Sequence, residues 1–429
     1  MTGIPDPLYR QADHPRLVVN EWRPERGAER VADGILMSKS VTNSYLVTTA
    51  DGDIVINTGM ADHGARHRQR YEELLGRPLD VRRIIFTQSH PDHIGGWEAF
   101  AGADTDLVGQ RQLETLCAER AALGPFFAAR NMRVIRAILE KVARESAGST
   151  PVASSPVTLT TRFGDELEFI HGGRRFHLIS TPSGEAFDAI CVWLPDERTL
   201  FTGNYLSAVF GSMPNFYTLR GDRQRSVPGF LRELQRLIDL DAELLITGHG
   251  DPLEGATHVR AALTKIRDAV RYMHDETVRL MAAGHSLSEI MAAVELPDAL
   301  KLSPLGRGPT RWYVRTVWEE YTGWFRMDLT SELYATPVSA IGPDLAELAG
   351  GVDAIRLRAD ELRRSGELEK ALHMIEVAVA AAPADRAVRE TEGHILVDLI
   401  NRTGGVGFDE IGWLEGKLRE AASVANAEG

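Results

Sequence analysis

One short segment constrains this chain more than any other: an apolar strand that runs directly into a cluster of metal-ligand side chains. The run Arg83-Ile-Ile-Phe-Thr87 predicts the strand, and Gln88-Ser-His-Pro-Asp-His93 follows it, with a Gly-Gly turn behind. Imidazole and carboxylate groups this close together suit zinc or another first-row divalent ion. Because function in layered α/β proteins gathers at strand ends, we expect a metal-dependent site in this loop.

Short β-branched strands alternate with helices over the first two-thirds of the chain, which predicts an α/β layered domain. The predicted strands are residues 34–38, 43–48, 53–57, 83–87, 166–170, 175–179, 189–194, 199–202 and 243–247. A helix is predicted at 61–75, and a helical insertion at about 111–146. From about residue 256 onward the pattern is nearly all helical. The runs 352–365 and 367–381, joined by Gly366, resemble a tetratricopeptide-like hairpin.

Composition excludes several classes of protein. The formal net charge is −13, with 61 acidic against 48 basic residues, so the chain lacks the basic excess of a nucleic-acid binder. Two cysteines, Cys117 and Cys191, are too few for a disulfide scaffold. No window approaches 18 uninterrupted apolar residues, so we expect no membrane span. The N-terminus lacks the basic start and apolar stretch of a signal peptide, and we expect a cytoplasmic location.

Three segments carry a resemblance to a known family. Residues 87–96 resemble the metallo-β-lactamase superfamily motif Thr-His-x-His-x-Asp-His, with Gln88 at the first histidine position. Asn57-Thr-Gly59 resembles the Asp-Thr-Gly turn of that family. Thr247-Gly-His-Gly250 resembles the segment that carries its last metal histidine.

The alkylsulfatase branch of the superfamily is the closer match. Pro182-Ser-Gly-Glu185 resembles its Pro-Gly-Thr-Glu, and Asn215-Phe-Tyr-Thr-Leu-Arg-Gly221 resembles its Asn-Leu-Tyr-Thr-Leu-Arg-Gly. Gly323-Trp-Phe325 resembles part of its dimerisation domain. The resemblance runs from about Val18 to Ala422, and we expect no sterol-carrier-like third domain of the kind that many alkylsulfatases carry.

The resemblance implies both a fold and a domain order. The expected fold class is α/β, a metallo-β-lactamase αββα sandwich followed by an all-α dimerisation domain. The catalytic domain would take up residues 1–265, with the insertion at about 111–146 inside it. The dimerisation domain would take up residues 266–429 and contain the tetratricopeptide-like hairpin.

The resemblance also implies a ligand set. The matching metal ligands are Gln88, His90, Asp92, His93, Glu185, Asn204 and His249. One ion would be held by Gln88, His90 and Glu185, and another by Asp92, His93 and His249. Asn204 matches the acidic residue that bridges the two ions in the family.

Amides at three positions depart from the family pattern: Gln88 replaces a histidine, and Asn57 and Asn204 replace acidic residues. An amide oxygen is a neutral and weaker ligand, and without the bridging carboxylate two dications repel each other more. We therefore expect one tightly held Zn²⁺ at Asp92, His93 and His249 and a weakly held second ion. Mn²⁺ and Fe²⁺ are the alternative ions.

The predicted reaction is hydrolysis, by metal-activated water, of a C–O or S–O bond in a hydrophobic, polar-headed substrate such as a sulfate ester. The predicted catalytic residues are Asp92, Asn204, Arg220, Asn215 and Tyr217. Asp92 would orient the water as general base, and Arg220 would pair with an anionic head group. Apolar residues available for a substrate pocket or for the core are Phe126, Phe127, Phe210, Met213 and Phe216.

Other functions stay open at the level of sequence. One is hydrolysis of an activated (nitro)aryl methyl ether, and another is a catalytically inactive subunit that partners an active paralogue. A mononuclear iron oxygenase is more distant. The predicted partners are a small-molecule substrate and a second chain, either a copy or a paralogue, bound through the helical domain. Trp312, Trp318, Tyr321 and Trp324 suggest a packed contact there.

Overall fold

The computed structural model describes residues 3–14, 27–145 and 155–426. The start of the resemblance at Val18 and residue 146 of the predicted insertion lie outside these described residues. The strands are β1 (Glu29–Ala32), β2 (Ile35–Ser38), β3 (Ser44–Thr49), β4 (Gly52–Ile56), β5 (Val81–Ile85), β6 (Asp106–Gln110), β7 (Thr161–Phe163), β8 (Glu166–His171), β9 (Arg174–Ser180), β10 (Ile190–Leu194), β11 (Thr199–Gly203), β12 (Leu244–Thr247) and β13 (Leu253–Glu254). The helices are α1 (Gly64–Leu75), α2 (Pro91–Ile94), α3 (Leu113–Ala122), α4 (Gly124–Val134), α5 (Arg136–Glu145), α6 (Val227–Asp239), α7 (Ala256–Ala282), α8 (Leu287–Ala293), α9 (Thr310–Thr322), α10 (Gly342–Leu348), α11 (Val352–Arg364), α12 (Leu368–Ala381), α13 (Arg386–Arg402) and α14 (Phe408–Ala425).

The chain divides into two compact units. Unit 1 consists of Met1–Pro15, Arg130–Ala137 and Tyr321–Gly429, and unit 2 consists of Arg16–Ala129 and Ile138–Glu320. The domain boundary predicted between residues 265 and 266 falls inside the continuous helix α7. The two-domain assignment itself stays a prediction.

Two mixed sheets form the centre of unit 2. Among the described residues, the first sheet has seven strands in the order β1-β2-β3-β4-β5-β6-β7, with β4 to β7 paired in parallel. The second has six strands in the order β13-β12-β11-β10-β9-β8, and β11 and β12 are its parallel pair. Every predicted strand corresponds to one of these strands, whereas β1, β6, β7 and β13 were not predicted.

Alternate side chains of the strands face different layers. Ile54 of β4 packs with Phe201 of β11 in the core between the two sheets. Its neighbour Val55 points the other way and packs with Tyr71 of α1. On the outer face of the second sheet, Phe230 of α6 is fully buried. Two mixed sheets flanked by helices confirm the predicted αββα class.

Unit 1 contains helices α10 to α14 around one apolar core, in which Ile355 of α11, Ile375 of α12 and Leu396 of α13 are buried. Helices α11 and α12 form the predicted hairpin. Gly366 between them has φ 84°, a left-handed conformation that ends the first helix at little cost. Among the described residues of the whole chain, no helix has both the length and the apolar character needed to cross a membrane. The cytoplasmic location stays a prediction.

Candidate metal centre

The predicted motif lies where β5 ends and the short helix α2 begins. His90 directly precedes α2 with an extended backbone, and a proline occupies the first helical turn. Asp92 and His93 therefore lie together on one turn of helix. A Cβ added to Gly96 would lie 2.4 Å from the carbonyl oxygen of Thr58, so glycine is needed for the motif to pack against the 57–59 turn.

Side chains from two segments that are far apart in the sequence meet at this point. The ligand atoms of Asp92, His93 and His249 all lie within 4.8 Å of one another. Asp92 Oδ2 is 3.5 Å from His93 Nε2 and 3.8 Å from His249 Nε2. Two atoms that each lie about 2.1 Å from a zinc ion in tetrahedral geometry are about 3.4 Å apart. The spacing of this group, which we name the Asp-His-His triad, fits one divalent ion.

Neighbouring groups orient the triad. His249 Nδ1 donates to the carbonyl oxygen of Val41 at 2.6 Å, which leaves the Nε2 lone pair facing Asp92. The Thr42 hydroxyl donates to Asp92 Oδ2. Sequence reasoning missed both Val41 and Thr42, because a backbone carbonyl and a single hydroxyl belong to no recognisable motif.

Asn57 organises the strand end that precedes the motif. Its φ of 58° is left-handed, a conformation that asparagine tolerates better than most residues. Its side-chain oxygen accepts from the Thr87 backbone N–H at 3.0 Å, and its Nδ2 lies 3.0 Å from Thr87 Oγ1. That hydroxyl is 3.4 Å from His93 Nδ1, so the opposite ring nitrogen of His93 faces the triad.

Protonation states favour metal binding at the triad. Burial alone would raise the pKa of Asp92, but the charges of His93, His249 and His90 and the bond from Thr42 lower it to about 2. Burial lowers the pKa of His93 to about 4. At neutral pH the triad therefore holds a carboxylate and a neutral imidazole, the forms that bind metals. His93 Nε2 is buried and has no hydrogen-bond partner among the described residues, as expected of an atom that awaits an ion.

Asn204 follows β11 and has two chemically different ends. Its Nδ2 donates to Glu185 Oε2 at 2.6 Å. Its Oδ1 is buried without a hydrogen-bond partner among the described residues, and a Cβ added to Gly248 would lie 2.2 Å from it and 3.2 Å from His93 Cε1. The amide nitrogen therefore serves Glu185, while the oxygen lies on the side of His93.

The structure also brings together Gln88, His90 and Glu185, the ligands predicted for a second ion. Gln88 Nε2 lies 2.8 Å from His90 Nδ1 and 3.0 Å from Glu185 Oε2. His90 Nδ1 is 3.6 Å from the same carboxylate oxygen. Burial would raise the pKa of Glu185, but its hydrogen bonds and the charges of His90 and Arg307 outweigh burial and hold it well below its usual value. The second ion stays a prediction.

The predicted substrate-side segment reaches this site through Asn215, whose Nδ2 donates to Glu185 Oε1 at 3.0 Å. Arg225, which is almost completely buried, holds the Asn215 backbone oxygen through Nε at 3.0 Å and through Nη2. Tyr217 packs on an aromatic neighbour of α9, and Arg220 is half-buried in the same loop. The catalytic roles of Asn215, Tyr217 and Arg220 stay predictions.

Two further charged residues near the site were not predicted. Arg307 is buried, and its Nη2 lies 3.6 Å from Glu185 Oε1. Asp188 is fully buried and accepts from the Ser89 hydroxyl at 3.1 Å, and burial raises its pKa to about 6. The only signals in the sequence are a Gly-Arg-Gly step at 306–308 and an aspartate three residues after Glu185, and neither pattern is specific.

Comparisons with known proteins agree with the fold. Residues 38–249 match the metallo-beta-lactamase superfamily, and residues 286–404 match the alkyl sulfatase dimerisation family. The chain is 27% identical over 367 residues to a linear primary-alkylsulfatase of Pseudomonas sp., which covers 81% of this chain and 68% of the relative. It is 23% identical over 415 residues to the alkyl/aryl-sulfatase BDS1 of Saccharomyces cerevisiae, which covers 89% of this chain and 63% of the relative.

A solved structure shows the same fold. The stereoselective inverting sec-alkylsulfatase Pisa1 from Pseudomonas sp. matches with a TM-score of 0.78 at 20% identity, over 92% of this chain and 65% of that chain. The present chain thus spans roughly two thirds of the length of these relatives. The chain belongs to the metallo-β-lactamase superfamily, in the branch of alkylsulfatase-like hydrolases that carry an alkyl sulfatase dimerisation domain. The predicted family is confirmed.

Proposed function

We propose that the chain is a metal-dependent hydrolase that cleaves a sulfate ester, or a related C–O or S–O ester bond, in a hydrophobic substrate with a polar head. The observation that carries this proposal is the Asp-His-His triad, in which His93 Nε2 is buried and lacks a hydrogen-bond partner among the described residues. The alkylsulfatase names of two relatives support the choice of substrate class.

The triad residues Asp92, His93 and His249 would hold one Zn²⁺, with Asn204 Oδ1 beside them as a neutral oxygen. When bound, such an ion supplies Lewis acidity, which lowers the pKa of a coordinated water to about 7. Asp92 stays ionised at neutral pH and accepts a hydrogen bond that orients the attacking water. Arg220 would pair with anionic oxygens of the head group through its fork of donors.

The residues that the sequence offered for a hydrophobic substrate pocket differ in their exposure. Phe216 is fully buried in the core beside the second sheet, and Met213 is buried with it. Phe126 of α4 is 53% exposed and packs edge-on against Phe127. We assign Phe126 and Phe127, rather than Phe216, to contact with a hydrophobic substrate.

The test is an activity and metal screen of the purified chain. Zinc-loaded protein should release inorganic sulfate from a long-chain alkyl sulfate, and His249→Ala should abolish both release and tight zinc retention. His285→Ala is a matched control, because His285 is an exposed histidine after α7. Sulfate release that survives His249→Ala, or a wild type that retains no zinc, would overturn the proposal.

A second candidate is hydrolysis of an activated (nitro)aryl methyl ether, and the amides at positions 88 and 204 favour it. The family has a charged carboxylate at position 204, where this chain has a neutral amide. The net charge of the metal centre therefore differs from that of a two-metal sulfatase, so substrates without a sulfate group are also suitable. Release of methanol and a nitrophenol from a nitroaryl methyl ether, without sulfatase activity, would favour this candidate over the first.

We propose further that the chain associates with a second chain through unit 1, which the match to the alkyl sulfatase dimerisation family supports. Large apolar side chains are exposed over residues 324–348 of this unit: Trp324, Met327, Leu329, Leu333, Tyr334, Val338 and Leu348. An exposed apolar surface of this extent marks an interaction site. Light scattering after size exclusion should give a mass above that of one 47.3 kDa chain. A monomer at micromolar concentration would contradict association with a second copy of this chain. Co-purification with a paralogue would then test whether a paralogue is the partner.

A further inference from the structure

The carboxylate of Glu185 is surrounded by hydrogen-bond donors. On Oε2 it accepts from Gln88 Nε2 at 3.0 Å and from Asn204 Nδ2 at 2.6 Å. On Oε1 it accepts from Asn215 Nδ2 at 3.0 Å, and Arg307 Nη2 lies 3.6 Å away. An ionised carboxylate offers about four lone-pair positions, and the three amide groups occupy three of them, while the Arg307 guanidinium lies beside Oε1 just beyond hydrogen-bond distance. A metal ion at Glu185 would have to compete with these groups.

The direction of the amides is set by charge. If the Gln88 or Asn204 amide were turned over, its oxygen would face the Glu185 carboxylate and repel it. With the amides as they stand, the two N–H groups of Gln88 bridge His90 Nδ1 and Glu185 Oε2, the two atoms that a second ion would have to join. An amide N–H₂ group thus performs the linking role of a cation at this point.

Arg307 is a built part of the site and not a surface arginine that happens to lie near it. Arg307 is 6% exposed. The segment of residues 303–306 that precedes it is fixed to the loop that carries Asn215. The Ser303 backbone N–H donates to the Gly211 oxygen at 2.8 Å, and a Cβ added to Gly306 would lie 2.8 Å from Ser212 Cβ. Because a guanidinium never loses its proton in proteins, Arg307 is a permanent positive charge beside Glu185.

The charges at the site suit one ion better than two. Among the described residues, Asp92 and Glu185 supply two negative charges, and Asp188 adds at most one more. The buried Arg225 pairs with Asp222 at 3.5 Å, so these two charges offset each other. One dication together with Arg307 supplies three positive charges, which these carboxylates nearly balance. A second dication would raise the positive total to five in a buried site, without the bridging carboxylate that offsets such repulsion. The arrangement therefore suits a single dication.

We propose that Arg307, and not a second metal ion, balances the charge of Glu185, so that the chain holds one metal ion, at the Asp-His-His triad. This inference rests on the proposed function for the triad ion and concerns the Gln88, His90 and Glu185 side alone. A fixed guanidinium binds the oxygens of an anionic or strongly polar head group, but it cannot acidify water. An ion held by Asp92, His93 and His249 would then be the group that acidifies water.

The experiment measures metal stoichiometry and needs no activity assay. Chelator-treated wild type, Arg307→Gln, Arg307→Lys and the distant control Arg271→Gln are titrated with zinc by calorimetry, with elemental analysis after dialysis. The same Arg307 variants are made on a Gln88→His background, in which a weak second ion becomes easier to measure. Circular dichroism verifies that each variant is folded.

We expect wild type, Arg307→Lys and Arg271→Gln to bind one zinc tightly. Arg307→Gln should tighten the second ion at least tenfold in the Gln88→His background, because it removes the positive charge while keeping a polar side chain at this position. A change smaller than threefold overturns the assignment of Arg307. Two tightly bound ions in the wild type overturn it as well, whatever happens to the folding of Arg307→Gln. A wild type that binds no zinc instead refutes the triad site and with it the proposed function.

Discussion

Replacing Gly248 by alanine tests the orientation of the Asn204 amide. The nitrogen of this amide faces Glu185, and its oxygen lies on the side of the triad. The added Cβ would lie 2.2 Å from Asn204 Oδ1 and 3.2 Å from His93 Cε1. Relief by backbone movement is difficult, because the Gly248 N–H donates to the Gly203 oxygen at 2.8 Å and its carbonyl accepts from Asn43 at 2.9 Å. The amide of Asn204 must therefore turn away.

The cost follows from what the turned amide loses. Its 2.6 Å bond to Glu185 is a hydrogen bond to a charged group, worth about 1.5–3 kcal/mol. Overpacking a buried site costs about 1–3 kcal/mol, but part of this cost is already counted in the rotation of the Asn204 amide. We expect Gly248→Ala to lower the free energy of unfolding by about 3 kcal/mol. We expect zinc binding to weaken about tenfold, equivalent to about 1.4 kcal/mol, because the amide oxygen leaves the side of His93.

Urea unfolding of the metal-free protein and zinc competition titrations measure the two effects separately. The decisive control is a double-mutant cycle with Asn204→Ala, which removes the group that the new methyl meets. In that background Gly248→Ala should cost less than about 1 kcal/mol. Gly250→Ala is a second control, since φ at Gly250 is 87° and an added Cβ meets no atom within 4 Å. It should cost about 1–2 kcal/mol of backbone strain and leave zinc affinity unchanged. An equal cost of Gly248→Ala with and without the Asn204 amide would refute the reasoning.

Three other predictions concern separate parts of the chain. His93→Ala should remove tight zinc and turnover together, because it takes away a triad ligand, and an unchanged zinc content would contradict the ligand assignment. Burial raises the pKa of Glu233 from 4.5 to about 7, so the folded chain keeps a proton that the unfolded chain loses, and stability falls as pH rises through this range. Glu233→Gln should therefore be more stable than wild type at about pH 8, by up to about 3 kcal/mol, and equal to it below about pH 4.5, as urea unfolding at both pH values would test. Leu348→Glu, at a side chain that is 85% exposed, should lower the assembled mass in light scattering without lowering the unfolding temperature, whereas an unchanged mass would exclude this part of the surface.

The fold was largely predictable because its strands correspond to compact apolar runs in the sequence. Ile54-Val55-Ile56 could be recognised as a strand, and the superfamily resemblance then supplied the layers. Sheet order could not be read in the same way. The three-residue strand β7 has too little pattern to be recognised, and its parallel pairing with β6 depends on tertiary contacts. The helical hairpin α11–α12 was predictable because Gly366 and the apolar spacing are local signals.

The candidate site was predictable only where its chemistry is concentrated in a motif. His90, Asp92 and His93 are close together in the sequence, and His249 has a recognisable Gly-His-Gly context. The groups that tune the site have no such signature. The Val41 carbonyl orients His249 by a contact between residues 208 positions apart, and a lone arginine in a loop does not reveal which carboxylate it will meet.

The nitrogen and the oxygen of each side-chain amide at this site have different roles. A carboxylate at position 204 could only accept hydrogen bonds or bind a cation, and a histidine at position 88 has at most one N–H left to donate once it binds a metal, whereas an amide has two N–H groups and an oxygen. Gln88 and Asn204 use their N–H groups to hold the Glu185 carboxylate, which would otherwise be a buried charge in need of a cation. Asn204 keeps its oxygen on the side of His93, where a cation is still expected. Amide donors together with the Arg307 guanidinium therefore take the place of a second ion on one side of the site, while acceptors that fit a cation are retained on the other. Under the proposal of a single ion at the triad, this division would leave no unpaired carboxylate on the Glu185 side.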